Sequence, residues 1–225
     1  MKNIIITGAS RGIGKELALL AASQGHQVLA LSRQINTDLQ AHPAIQLLSV
    51  DLSNENEIQS VSNWIANNWK QVDVLIHNAG ALQFKPFTAT TLTDFENIYK
   101  VNVFGVAALT QVCVPFLRSG SHVVAISSMG GVQGSAKFAG LAAYSSSKAA
   151  VITLMELLAE EYKEEQISFN ALALGAVQTE MLAEAFPGYQ APVTAQEMAN
   201  YILDFSLQGH QWYNGKVLPV SKSTP

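Results

Sequence analysis

Asn3-Ile4-Ile5-Ile6-Thr7-Gly8-Ala9-Ser10-Arg11-Gly12-Ile13-Gly14 opens the chain with a β-branched run that stops at a glycine turn. Ile4-Ile5-Ile6 shows no polar alternation, so it reads as a strand of a parallel sheet covered by helices on both faces. Gly8 permits a tight strand-to-helix turn, Gly12 lets backbone approach a phosphate, and Gly14 allows the next helix to pack closely on the sheet. The N-terminus of that helix carries the partial positive charge that favours a pyrophosphate. The spacing is Gly-x-x-x-Gly-x-Gly rather than Gly-x-Gly-x-x-Gly, and a glycine triplet alone is a weak signal. Its place directly after the first strand gives it force.

Working outward, β-branched runs alternate with helical patterns. Strands are expected near 3–7, 27–31, 45–50, 72–77, 122–127, 167–172 and 216–220, and helices near 12–23, 55–69, 94–117, 142–163 and 195–205. This βαβ series predicts an α/β fold: a Rossmann-type doubly wound parallel sheet of about seven strands with helices on both faces, in a single domain over 1–225. The stretch 33–44 barely meets the length of a crossover, so its helix is expected to be short or irregular. The segments 80–91 and 179–194 read as the longest unstructured loops. Both follow strand ends on the side where open α/β sheets bind ligands.

The 225 residues are 48% hydrophobic and 13% charged, with mean hydropathy +0.17, which suits a large core and not a disordered chain. A net charge of −4 with scattered Lys and Arg argues against nucleic-acid or anionic-membrane partners. The single cysteine, Cys113, excludes a disulfide within the chain and reads as a small buried hydrophobe. His26, His42, His77, His122 and His210 are scattered, so no metal site is expected. The N-terminus runs straight into a strand and no apolar stretch approaches the ~20 residues that span a bilayer, so a cytoplasmic protein without a membrane partner is expected.

Tyr144 and Lys148 stand four residues apart in an Ala-rich apolar stretch and so share one helix face. A phenol that ionises near ~10 exchanges protons poorly at neutral pH, and a neighbouring ammonium favours its phenolate. The pair reads as an acid with its tuning cation. Joined to the glycine turn, it points to hydride chemistry at a carbonyl or an alcohol. Where an NAD site usually places Asp or Glu, the second strand ends Leu31-Ser32-Arg33. Ser32 brings no negative charge, Arg33 can pair with a 2′-phosphate, and Arg11 offers a second cation on the same side, so NADP(H) is favoured over NAD(H). The competing reading makes Arg33 an ordinary exposed loop residue.

In chain order, the run Thr7 to Gly14, His77-Asn78-Ala79-Gly80, Asn102, Ser128 and Tyr144-Ser145-Ser146-Ser147-Lys148 resembles the short-chain dehydrogenase/reductase family, in its compact single-domain branch. The likeness covers nearly the whole chain. It implies that Gly8, Ser10, Arg11, Gly12, Ile13 and Gly14 bind the cofactor, that Asp51 and Leu52 contact adenine, and that Asn78, Ala79 and Gly80 line the cofactor. For Asp51 the competing role is a helix N-cap near Ser53 or Asn54. The likeness further implies that Val177 and Thr179 touch the nicotinamide carboxamide and that Lys148 holds its ribose. Tyr144 would be the general acid or base, Ser128 would orient the substrate oxygen with Ser127 as its rival, and Asn102 would bend its helix and support a proton relay.

The chain departs from the family at His77, where Asn is commoner, and at Leu174, where Pro is usual. Ser128 and Tyr144 are spaced more widely than usual, which predicts a small insertion near 133–141. The segment 180–194 is brief, so the pocket is open or completed by another subunit. Phe84, Phe87, Phe138, Phe186 and Tyr189 hint at an apolar or aromatic substrate. Apolar residues between Ala149 and Leu158 exceed one core stripe, and with the family's habit this predicts a homodimer or homotetramer through helices 94–117 and 142–163. The rival to an enzyme acting on a small carbonyl or alcohol is a catalytically silent dinucleotide-binding sensor or interaction protein.

Overall fold

A computed structural model describes residues 1–222. The strands are β1 (Asn3–Thr7), β2 (Gln27–Ser32), β3 (Ile45–Ser49), β4 (Val74–His77), β5 (His122–Ser128), β6 (Ser168–Leu174) and β7 (Lys216–Val220). They form one all-parallel sheet in the order β3-β2-β1-β4-β5-β6-β7. The chain builds outward from β1 to β3, then returns to place β4 on the other side of β1. This reversal sends the helices after β1 and β4 to opposite faces of the sheet and opens a crevice at the carboxyl ends of the strands.

Side chains alternate across the sheet and feed two cores. Ile4, Ile6, Val28 and Ile76 point toward α1 (Gly12–Ser23), where Leu17, Ala18 and Ala21 meet them with Ile202 and Leu203 of the last helix. Ile5, Leu29, Leu75 and Val123 point the other way, toward Ile58, Val61 and Ile65 of α3 (Glu55–Asn68) and a layer of later helices. Fully burying each such aliphatic side chain is worth ~1.5–3 kcal/mol, which ties the helices to both faces. α2 (Thr37–Gln40) is one turn long, as the short crossover predicts.

Four sequence expectations need correction. β4 begins at Val74, not 72, because Val72 and Asp73 send their N–H groups to Phe116 and Asn3. The single helix expected over 94–117 is α4 (Leu92–Tyr99) and α5 (Gly105–Cys113), joined by a π-turn over Lys100–Phe104 and ended by a 3₁₀ turn carrying Pro115. Together Leu92–Phe116 is long and apolar enough to cross a membrane by length and composition, which overturns the statement that no stretch approaches that length. Val106, Leu109 and Cys113 bury one face of it in the second core, the pattern of a core helix. α6 (Ala142–Glu161) runs beside it. The segment 179–194, expected to lack structure, contains α7 (Glu180–Ala185), and α8 (Ala195–Gln208) follows behind a Thr194–Glu197 capping box.

Candidate active site

The crevice holds a cavity of about 1090 Å³ at the carboxyl ends of β1, β2, β4, β5 and β6. At its head the turn after β1 needs its glycines. Gly8 has φ +69° and a Cβ there would stand 2.8 Å from the Ala79 Cα; Gly12 has φ +55°. Gly14 is buried away from the cavity, packed so tightly on the Gly8 carbonyl that a side chain would collide with it. The Thr7 hydroxyl accepts from the N–H groups of Asn78 (3.0 Å) and Ala79 (2.9 Å), and the Asn78 amide donates to the Thr7 carbonyl at 3.0 Å. These bonds lock the β1 and β4 turns together across the switch point.

Ser10, Arg11, Gly12, Ile13, Ser32, Arg33, Asp51, Leu52, Asn78, Ala79, Gly80, Val177 and Thr179 line the same cavity. Arg33 is exposed at the rim and, among the described residues, joins no ion pair. The Ser32 hydroxyl donates to the Gln34 carbonyl at 2.6 Å. Asp51 does not cap a helix: Asn54 caps α3, while the Asp51 carboxylate accepts from the Ser53 N–H (2.8 Å) and hydroxyl (2.7 Å), bonds that lower its pKa. Thr179 caps α7 by accepting from the Leu182 N–H at 3.2 Å. Arg11 pairs with Glu184 through its two terminal guanidinium nitrogens, at 2.5 and 3.3 Å.

The chemical floor lies where β5 meets α6. The Lys148 ammonium is 5% exposed and donates to the Ile126 carbonyl at 2.8 Å; burial pushes its pKa down to about 8. Its nitrogen lies 5.8 Å from the centre of the Tyr144 ring. Burial raises the Tyr144 pKa, and a hydrogen bond with Ser128 works against that rise. Ser127 is buried and donates to the Lys148 carbonyl at 2.9 Å, so of the two serines it is Ser128 that meets the phenol. Gly80 closes the back wall: a Cβ there would stand 3.4 Å from the Lys148 ammonium and 3.6 Å from the Asn102 side-chain oxygen.

Asn102 lies behind the cavity rather than on its wall. Its side chain accepts from the Ala81 N–H (2.7 Å) and donates to the Ala81 carbonyl (2.9 Å) and the Ser147 hydroxyl (2.9 Å), and Ser147 donates in turn to the Tyr144 carbonyl. The π-turn is what aims this side chain at the loop after β4, while its Gly105 N–H reaches back to the Lys100 carbonyl. His77 bonds Thr110 at 2.9 Å; because the Thr110 hydroxyl donates to the Val106 carbonyl, the imidazole donates and its Nδ1 has no partner. Burial lowers its pKa to about 3.

Sequence reasoning missed Glu180, Met181, Leu182 and Glu184, all cavity-lining residues of α7, because a six-residue helix gives too short a periodic signal. It also missed the walls at Leu31, Val50 and Ile126. Of the loop aromatics, Phe138, Phe186 and Tyr189 line the cavity, Phe84 packs edge-on against Phe186, and Phe87 lies in a separate shallow depression. Two positive-φ glycines at the head, a wide apolar trough and a buried Tyr–Lys pair at the floor fit the pyrophosphate, adenosine and nicotinamide ends of a dinucleotide.

A sequence profile described as short chain dehydrogenase matches residues 2–190. The chain is 29% identical over 242 residues to a 7alpha-hydroxysteroid dehydrogenase of Escherichia coli strain K12, covering 98% of this chain and 92% of that protein. It is 29% identical over 219 residues to an NADPH-dependent pterin aldehyde reductase of Arabidopsis thaliana, covering 91% and 89%. A short chain dehydrogenase from Burkholderia cenocepacia J2315, solved in complex with NADP, superposes with TM-score 0.88 at 24% identity over 99% of this chain and 97% of that one, a likeness of fold.

Proposed function

The chain belongs to the short-chain dehydrogenase family, oxidoreductases that bind a nicotinamide dinucleotide and act on small molecules, and we propose that it interconverts an aldehyde or ketone with its alcohol using NADP(H). The observation that carries this reading is the convergence of Ser128, Tyr144 and Lys148 on one cavity floor. Gly8, Ser10, Gly12 and Ile13 would hold the pyrophosphate, and Asp51, Leu52 and Asn78 to Gly80 the adenosine and its neighbours. Arg33 would pair with the 2′-phosphate. Val177 and Thr179 would hold the nicotinamide, which when bound in its reduced form would supply the hydride. Ser128 donates a hydrogen bond to the substrate oxygen and orients it. Tyr144 gives that oxygen its proton during reduction and removes it during oxidation. Lys148, held by the Ile126 carbonyl, keeps a positive charge beside the phenol and favours the phenolate after transfer. Asn102 is a positioning residue that fixes the loop of Ala81 and, through Ser147, the first turn of α6.

The substrate end is walled by Leu82, Met129, Phe138, Leu141, Met181 and Phe186, and among the described residues the cations lining the cavity are Arg11, Arg33 and Lys148. An uncharged carbonyl on an aromatic or alicyclic body fits this wall, while an acid would lack a partner. NADPH consumption with a carbonyl panel tests the reading: neutral aromatic aldehydes and ketones turn over, and 2-oxo acids do so at least tenfold less well. Tight NADPH binding without turnover of any carbonyl would favour the silent sensor instead. We read the chain as a cytoplasmic enzyme without nucleic-acid or membrane partners that works as a homodimer or homotetramer. Exposed Phe104 and Leu157, on the π-turn and α6, support such pairing.

A further inference from the structure

α7 carries two carboxylates four residues apart, on one helix face, and both meet the phosphate cradle. Glu184 is paired with Arg11, the cation of the glycine turn. Glu180 lies against Gly12, with its Oε2 only 3.3 Å from where a Cβ at that glycine would stand. Gly12 is the residue whose bare backbone admits a pyrophosphate, and Arg11 is the residue next to it that could reach a 2′-phosphate. A carboxylate lies beside each of these residues. The ion pair holds the Glu184 pKa down and the Arg11 pKa up, so both charges are present at neutral pH.

We propose that α7 is an internal competitor for the cofactor: Glu184 contends with the 2′-phosphate for Arg11 and so weakens the preference for NADP(H), while Glu180 contends with the pyrophosphate common to both dinucleotides. This rests on the NADP(H) reading above. The two carboxylates have separable signatures. Neutralising Glu184 frees the cation that meets only a 2′-phosphate, so the effect falls on NADPH. Neutralising Glu180 removes repulsion at the pyrophosphate, so the effect falls on NADPH and NADH alike. Arg11 and Glu184 are half-exposed, and pairs of that kind are worth little, so the expected change is modest.

The experiment is fluorescence titration of the full chain with NADPH and with NADH, for wild type, Glu184→Gln and Glu180→Gln, with thermal unfolding to show that all three are equally folded. In Glu184→Gln the NADPH-to-NADH affinity ratio rises roughly 2- to 5-fold. In Glu180→Gln both affinities rise together and the ratio holds. An unchanged or lowered ratio in Glu184→Gln would overturn the proposal, since Glu184 would then be idle or would be positioning Arg11 for the phosphate. Wild type preferring NADH would sink the cofactor reading, yet the direction of the Glu184→Gln ratio would still decide the competition.

Discussion

At the residue scale the site is governed by what burial does to two ionisable groups. Burial pushes the Lys148 pKa down to about 8 from an ordinary value of 10.5. Between those values the unfolded chain binds the extra proton, so stability rises with pH and the cost of burying the cation disappears. The gain is on the order of 3 kcal/mol at most. Denaturant unfolding at pH 8 and pH 10 should show wild type gaining stability relative to Lys148→Met; parallel behaviour of the two would mean that the ammonium is not buried as described. Ser128 is the other lever. Its hydrogen bond holds the Tyr144 pKa below what burial alone would impose, so in Ser128→Ala the phenol ionises later and the rising limb of alcohol oxidation moves to higher pH. That Tyr144 and Lys148 share a helix face was legible because their spacing is local, whereas Ser128 was marked out only by the family likeness of its segment. The pairing of Arg11 with Glu184 was not, since 173 residues separate them and no local pattern records the contact.

At the element scale, strand positions were read almost to the residue, because a buried parallel strand is a short apolar run bounded by turns. The interruption of the helix after β4 was legible only as an interior Asn. Its form, a π-turn that swings Asn102 onto Ala81, depends on a loop distant in sequence. Asn102→Ala leaves the Ala81 N–H and carbonyl unpaired near the cavity floor, at about 1–3 kcal/mol per buried group. The expected outcome is a lower melting temperature and a kcat loss without a matching rise in the Kd for NADPH. Loss of cofactor affinity with kcat intact would show instead that the π-turn serves the cradle. α7 escaped notice for the opposite reason: it is too short for periodicity and is defined by its Thr179 cap and its seat over the glycine turn.

At the scale of the whole molecule, the doubly wound sheet places the turns after β1 and β4 face to face and brings α6 beneath them, so three distant stretches become one cleft. The apolar surface left by Phe104 and Leu157 adjoins the helices that support the cleft floor, and covering it with a second copy would stiffen α6. Light scattering at micromolar concentration should give a dimer or tetramer, and Leu157→Asp should shift it toward monomer; a monomeric wild type would remove this part of the reading. The central claim is that a phenol on this floor handles the proton of the reaction. It is tested most directly by following NADPH absorbance with a neutral aromatic aldehyde for wild type and Tyr144→Phe, alongside NADPH titration of both. The account predicts that Tyr144→Phe binds NADPH as wild type does and turns over roughly 10²- to 10⁴-fold more slowly; equal turnover by the two proteins would contradict it.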